Sequence, residues 1–215
     1  DVSISGGADA GNYSANTSAA ASADITAKSV TAAIVAQNKV YDGNATASAT
    51  GSVPTASIIS GDAVNVAVSN AAFDNKNVGT GKPVTATVAI DNSNYSLTST
   101  SAATTANITA KGLVIGITAA NKVYDGNANA ATTAAIASGL VSGDVVTVAS
   151  ANGAFNNKNV GTAKPVTADV SISGGADAGN YSANTSAAAS ADITAKSVTA
   201  AIVAQNKVYD GNATA

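Results

Sequence analysis

Internal repetition constrains this chain more than any other feature. Residues 1–47 recur without change as residues 169–215, and a weaker repeat of about half that spacing lies between them. The phrase that runs from Asn38 to Ala45 returns at 121–128 and at 206–213. Self-similarity at a fixed spacing is typical of chains built from stacked supersecondary units. The sequence therefore predicts tandem repeats of about 84 residues.

The repeated phrases set the expected boundaries. Residues 29–111 and 112–196 form two complete repeats, 1–28 the tail of a preceding one, and 197–215 the start of the next. Because both ends fall inside the pattern, we expect a segment of a longer array. No Gly-rich or Pro-rich linker separates the repeats, since Asp24–Thr31 contains neither residue. This favours neighbouring repeats docked into a stiff rod.

Apolar residues alternate with polar ones along several segments. Val30, Ala32 and Ile34 fall on one face of an extended chain, and residues 64–69 and 84–90 alternate in the same way. Alanine is the best helix former, but here it is interleaved with Thr, Val, Asn and Gly, without helical spacing. Turn signals such as Asp42-Gly43 separate the segments. We predict an all-β fold of tandem antiparallel, Ig-like β-sandwiches with six to eight strands each.

The residue inventory excludes several function classes. The chain has no His, Cys, Met or Trp, all ten basic residues are Lys, and all thirteen acids are Asp. Nucleophiles paired with His and zinc sites built from Cys and His are therefore excluded, and we expect no enzyme. A net charge of −3 with scattered lysines predicts no nucleic-acid binding. No apolar run is long enough to span a bilayer.

Four phrases occur in the same order in both complete repeats. In the first repeat they are Lys39–Gly43, Ser60–Asp62, Asn75–Gly79 and Asn94-Tyr95. This series resembles the YDG repeat of bacterial haemagglutinin-like surface adhesins, which are filamentous secreted proteins. The resemblance implies an extracellular location, at the cell surface or in a secreted matrix, and a stalk-like structural role. It brings no catalytic residue.

From the residues and the resemblance together, we expect a structural segment, a stalk or fibre of an adhesin or biofilm matrix protein, that provides reach, stiffness and self-association. Its expected partners are neighbouring repeats or other copies of itself, with glycans or host surfaces bound by domains outside this segment. The alternative is a binding module in which the repeats themselves hold glycan or calcium. No cofactor is expected apart from calcium in that alternative.

The candidate site residues belong to the repeated phrases. We assign a structural role to the large side chains and to the YDG turns, in which Gly supplies positive φ. These residues are Tyr41, Asp42, Gly43, Phe73, Tyr95, Tyr124, Asp125, Gly126, Phe155 and Tyr181. Oxygen ligands for calcium are weaker candidates: Asp91, Asn94, Asp177 and Asn180. Lys39 and Lys122 are candidates for intramolecular isopeptide bonds.

Overall fold

The fold is known from a computed structural model, which describes residues 2–16 and 18–214. Every regular element longer than three residues in this described part is a β-strand, and three short 3-10 turns lie at Ala10–Asn12, Thr55–Ser57 and Ala178–Asn180. The prediction of an all-β fold is confirmed. Thr, Val and Ile suit extended backbone because their branched side chains pack well on a pleated surface.

The two repeats contain similar series of strands. Those of the first repeat are β1 (Lys28–Val30), β2 (Ala33–Ala36), β3 (Lys39–Val40), β4 (Ala49–Ser52), β5 (Val66–Phe73), β6 (Gly79–Ile90), β7 (Tyr95–Leu97) and β8 (Ser101–Thr109). Those of the second are β9 (Lys111–Ala119), β10 (Lys122–Val123), β11 (Thr132–Ser138), β12 (Thr147–Phe155), β13 (Gly161–Gly174), β14 (Tyr181–Ala183) and β15 (Ser186–Thr194).

Two sheets make up the second repeat. One has the strand order β11-β9-β14, and the other has the order β10-β15-β13-β12. The longer pairings, β9 with β11 and β13 with both β12 and β15, are antiparallel, as predicted. The short strands β10 and β14 instead pair parallel, with β15 and β9. The corresponding strands β3, β8, β6 and β5 of the first repeat form a sheet in the same order.

The chain divides into two compact units whose limits differ from those of the sequence repeats. The first unit comprises residues up to Val35, Ala49–Ala71 and Thr85–Thr104. The second comprises Ala36–Ser48, Ala72–Val84 and the chain from Thr105 onward. The boundary between the two sequence repeats, at Lys111, therefore lies inside the second unit.

Each unit has its own hydrophobic core. In the first unit, Val30, Ile34, Val88 and Tyr95 are buried together. The second unit has two clusters, and the smaller one contains Phe155, Val166 and Ile193. The larger one takes residues from both sequence repeats: Tyr41, Phe73, Val84, Ala106 and Ile108 from the first, and Leu113, Ile115, Val170 and Tyr181 from the second. A single core thus encloses the repeat boundary.

Two pairs of identical segments have different structures. Residues 29–46 form strands and bury Val30 and Tyr41, whereas the same letters at 197–214 form no strand, and Tyr209 is 92% exposed. Likewise, residues 170–194 contain β14, β15 and the end of β13, whereas residues 2–16 and 18–26 form none. Since the local sequence is the same, pairing with distant strands decides whether these segments form strands.

None of the described residues belongs to a helix with the length and apolar character needed to cross a membrane.

Candidate functional site

The YDG phrase of the first repeat follows strand β3. Tyr41 is 1% exposed, and its backbone N–H donates to the carbonyl of Thr109 at 2.9 Å. Asp42 forms an ion pair with Lys39 at 2.7 Å, and its carboxylate accepts the N–H of Asn44 at 3.2 Å. Gly43 has φ +86°, a conformation that favours glycine. The turn therefore directs the Tyr41 ring into the core while the chain reverses.

The Tyr41 hydroxyl reaches a carboxylate of the next repeat. It donates to Oδ2 of Asp144 at 2.8 Å, and the Tyr181 hydroxyl donates to the same oxygen at 2.6 Å. The ammonium of Lys76 binds Oδ1 of Asp144 at 3.0 Å and also Asp177 at 2.9 Å. Because the Asp144 side chain is only 4% exposed, these three donors replace the water that it has lost.

We call this group of five residues the junction cluster: Tyr41, Lys76, Asp144, Asp177 and Tyr181. All five belong to the second compact unit, although the first two lie in the first sequence repeat and the others in the second. The Tyr41 and Tyr181 rings meet edge to face with centroids 5.5 Å apart, and Lys76 Nζ lies 5.8 Å from the Tyr41 centroid. Such edge-to-face ring pairs add about 0.5–1.5 kcal/mol beyond their buried area.

Burial and hydrogen bonding within the junction cluster shift the pKa values of its side chains. Burial and the hydrogen bond to Asp144 raise the pKa of Tyr181 to about 12, and the same two causes raise the pKa of Tyr41. Burial alone would raise the pKa of Asp144, but hydrogen bonds from both tyrosines and Lys76 lower it below the usual value. The hydrogen bond that Lys76 donates to Asp177 is the largest cause that raises the pKa of Lys76. At neutral pH the cluster thus holds two carboxylates, one ammonium and two neutral phenols.

Close backbone contacts surround the junction cluster. Asn180 is buried, and its Oδ1 accepts the backbone N–H of Val78 at 2.9 Å. A Cβ added to Gly43 would lie 2.8 Å from Cγ1 of Val141, closer than van der Waals contact allows. The equivalent Gly126 has a similar φ of +87° but nothing within 4 Å. Gly43 therefore meets two demands, positive φ and close approach, whereas Gly126 meets only the first.

The second copy of the YDG phrase has fewer contacts. Tyr124 is only half-buried, whereas Tyr41 is fully buried. Asp125 forms the same local ion pair as Asp42, here with Lys122 at 2.8 Å. Phe73 and Phe155 are both buried, and the ammonium groups of Lys39 and Lys122 lie 5.9 and 5.7 Å from their ring centroids. The local turn is thus the same in both repeats, and only the surroundings of the tyrosine differ.

The four weak metal candidates form hydrogen bonds within the protein. Asp91 accepts both the backbone N–H and the side-chain amide of Asn65, at 2.9 and 2.7 Å. The backbone N–H of Asn94 donates to Asn92, while Asp177 and Asn180 engage Lys76 and Val78 as described above. Among residues 2–16 and 18–214, no three acidic residues come together in a group that could hold a metal ion.

The isopeptide candidate Lys39 lies 3.1 Å from Oδ1 of Asn44. Its Nζ also donates to the carbonyls of Asn44 and Thr46, both at 3.0 Å, and pairs with Asp42. These four oxygen acceptors hold the Lys39 side chain across the YDG loop, as a clamp on the loop.

Two residues of the junction cluster, Asp144 and Lys76, are not among the candidate site residues predicted from the sequence. Both lie in phrases that it singled out, Ser-Gly-Asp and Asn-Lys-Asn, because these phrases recur in each repeat. The recurrence of these two phrases was therefore the sequence signal that could have pointed to Asp144 and Lys76. Nothing in the local sequence indicated that a lysine of one repeat and an aspartate of the next would meet.

Comparison with known protein families agrees with the repeat spacing. The model of the YDG domain matches residues 26–105 and again residues 109–189. The chain belongs to the YDG domain family. No curated protein matches the sequence. The motif tyrosine of the first YDG domain, Tyr41, thus donates to Asp144 in the Ser-Gly-Asp loop of the second YDG domain.

Proposed function

We propose that this chain is a structural segment, a stalk or fibre, of a bacterial extracellular adhesin or matrix protein. The two tandem YDG domains support this proposal, as does the resemblance of their phrases to haemagglutinin-like surface adhesins. The mechanism is mechanical rather than catalytic. Consecutive domains held in one orientation transmit reach and stiffness along the chain, and their stability is roughly a sum of domain terms and nearest-neighbour terms.

The observation that carries this proposal is the core that encloses the repeat boundary. Strand β8 ends at Thr109 and β9 begins at Lys111, so a single residue separates them. Ile108 before this boundary and Leu113 after it are buried in the same cluster. A flexible linker would leave both side chains exposed when the domains moved apart. Bending at this point therefore exposes apolar surface, at a cost of about 25 cal/mol per Å².

The junction cluster adds directional specificity to this apolar contact. Two hydroxyls and an ammonium converge on one buried carboxylate, and each has a narrow range of good geometry. A shift of about 1 Å would leave a buried charge without donors, which is far more costly than a shift between two apolar surfaces. We infer that the junction cluster fixes one orientation of the second YDG domain on the end of the first.

The proposed location is tested on the cells that make this protein. An antibody against the repeat, viewed by electron microscopy on intact cells, should label surface fibres or secreted matrix. Label confined to the cytoplasm would refute an extracellular role. A binding module for glycan or calcium, the alternative, predicts saturable binding per repeat, so an Asp91→Ala variant should lose the site of the first repeat.

The proposed stiffness can be measured with spin labels, because the chain has no native cysteine. Thr80 and Thr162 are exposed, equivalent positions of the two domains on β6 and β13, and both lie in the second compact unit. In a Thr80→Cys, Thr162→Cys variant, pulsed electron resonance should give one narrow distance distribution. A broad distribution in this variant would contradict a stiff connection between the domains. The addition of Asp144→Asn should broaden the distribution.

A further inference from the structure

We propose that Lys82 forms an intramolecular isopeptide bond with the side chain of Asn75, with the carboxylate of Asp74 as the proton carrier. Asp74 and Asn75 follow strand β5, and Lys82 lies on β6, all within the second compact unit. The sequence pointed to Lys39 and Lys122 for such a bond, whereas the geometry favours Lys82. The inference is independent of the proposed function, because it concerns the chemistry of a single turn.

The amine and the amide of this pair are in contact. Lys82 is 9% exposed, and its Nζ lies 2.9 Å from Oδ1 of Asn75. The methylene stem of Lys82 passes Gly79, where an added Cβ would lie 3.1 Å from Cδ of the lysine. Because Gly79 has no side chain, the stem can hold Nζ beside the carboxamide of Asn75, whose carbon Cγ a nucleophile attacks.

Asp74 contacts both of the nitrogens that exchange protons in such a reaction. Its Oδ1 accepts a hydrogen bond from Nζ of Lys82 at 2.7 Å, and its Oδ2 accepts one from Nδ2 of Asn75 at 3.0 Å. One carboxylate thus bridges the attacking nitrogen and the leaving nitrogen. A general acid–base group in this position can take a proton from the first and deliver it to the second.

A backbone N–H stabilises the amide oxygen. Oδ1 of Asn75 also accepts the N–H of Asn77 at 2.9 Å. Negative charge builds on this oxygen when an amine adds to Cγ, and a fixed donor at hydrogen-bond distance stabilises that charge. The turn therefore supplies a nucleophile, a proton carrier and an oxyanion donor, the three groups that acyl transfer to a lysine needs.

The reaction exchanges one amide for another and needs no oxidant. The lone pair of Lys82 Nζ forms a bond to Cγ of Asn75, and the Cγ–Nδ2 bond breaks with its electron pair going to Nδ2. Nζ loses two protons and Nδ2 gains two, carried by Asp74, so the leaving group departs as ammonium. The single positive charge moves from Lys82 to ammonium, and the Asp74 carboxylate is regenerated. Asp74 and Asn75 are exposed, which gives the ammonium an exit.

The loop of Lys39 has a different arrangement of the same residue types. Oδ1 of Asp42 binds Nζ of Lys39 at 2.7 Å and also the backbone N–H of Asn44 at 3.2 Å. The second contact of this carboxylate is thus with the main chain rather than with a leaving amide nitrogen. We therefore expect Lys39 to remain a clamp and Lys82 to react.

The second repeat contains the same lysine and asparagine pair beside an amide instead of a carboxylate. Lys164 is also 9% exposed, its Nζ lies 2.8 Å from Oδ1 of Asn157, and the N–H of Asn159 donates to that oxygen at 3.0 Å. The residue equivalent to Asp74 is Asn156. Because an amide does not accept and release protons at neutral pH, this pair should stay unlinked. The chain thus provides a matched control for the proton carrier.

The bond closes a ring that contains part of the junction. Residues 75–82 include Lys76, which binds Asp144, and Val78, whose N–H donates to Asn180. A turn that is closed covalently has less freedom to lose when it binds the second domain. The link therefore pre-organises the contribution of the first domain to the junction.

The intact mass of the 215-residue chain, measured under denaturing conditions, tests the proposal. Wild type should be lighter than its sequence mass by one ammonia. Asp74→Asn and Lys82→Arg should each have their full sequence mass, whereas Lys164→Arg, the matched control, should keep the loss. Asn156→Asp supplies the carboxylate beside Lys164 and should lose a second ammonia. Circular dichroism identifies a variant that fails to fold, and the gain expected for Asn156→Asp cannot arise from misfolding.

Trypsin digestion locates the link. Trypsin cuts after Lys76 but not at the bond between Lys82 and Pro83, so denatured digests should contain fragments 40–76 and 77–111 joined covalently. Wild type at its full sequence mass would overturn the proposal. Loss of ammonia with the two fragments separate would also overturn it, because that result indicates a succinimide. A folded Asp74→Asn chain that is still linked, or wild type linked in both repeats, would refute the role of the carboxylate.

Discussion

Replacing the carboxylate of Asp144 by an amide should destabilise the second compact unit strongly. The Asp144→Asn variant keeps the shape of the side chain but loses the charge that accepts hydrogen bonds from Tyr41, Tyr181 and Lys76. A hydrogen bond to a charged group contributes about 1.5–3 kcal/mol, and breaking a buried charge pair costs about 3–5 kcal/mol. Because the amide oxygen still accepts one donor, we expect a loss of about 3 kcal/mol in the free energy of unfolding.

The chain supplies a matched control for this change. Asp62 occupies the equivalent position in the first repeat, but it is exposed and accepts from Tyr95 alone in that unit. Asp62→Asn should therefore cost less than half as much as Asp144→Asn. Urea unfolding of both variants, followed by circular dichroism in the peptide and tyrosine bands, gives the two values. Equal losses at the two positions would refute the assignment of a special role to Asp144.

Two further predictions concern the same junction. Gly43→Ala and Gly126→Ala impose similar strain at positive φ, but only the former brings a Cβ against Val141, so Gly43→Ala should lower the melting temperature more. Thermal melts of the two variants give this comparison, and the reverse order would contradict the packing argument. The raised pKa values of Tyr41 and Tyr181 predict a pH dependence. The stability from these phenols is fully present below pH 10, the usual tyrosine pKa, and is lost as pH rises towards about 12. Melting temperature against pH should fall in this range, and a flat profile up to pH 12 would contradict it.

The alternation of apolar residues was enough to predict the strands and much of the core. Val166, Ala168 and Val170 alternate along β13 with exposed neighbours, and the same period holds for Val84, Ala86 and Val88 on β6. The local sequence pattern predicts which of these residues are buried because side chains on a strand point alternately to opposite faces. The all-β class and the tandem organisation follow from this pattern together with the repeat.

The junction cluster could not be predicted in the same way, because its partners are far apart in sequence. Tyr41 and Asp144 are separated by 103 positions, and nothing local distinguishes Tyr41 from Tyr124. Tyr41 and Tyr209 lie in identical local sequence, yet Tyr41 is 1% exposed and Tyr209 is 92% exposed. Non-local pairing decides both outcomes, and a sequence read in short windows does not contain it.

Amide hydrogen exchange at Val78 and Val160 tests the central claim most directly, namely that the first YDG domain is locked onto the second. The two residues lie in nearly identical phrases, but only the N–H of Val78 donates to a buried side chain of the next domain, Asn180 at 2.9 Å. We predict that the Val78 amide exchanges at least about 100-fold more slowly than that of Val160, and that Asp144→Asn removes most of the difference. Equal and fast exchange at both amides would show that the domains move independently and would contradict the account.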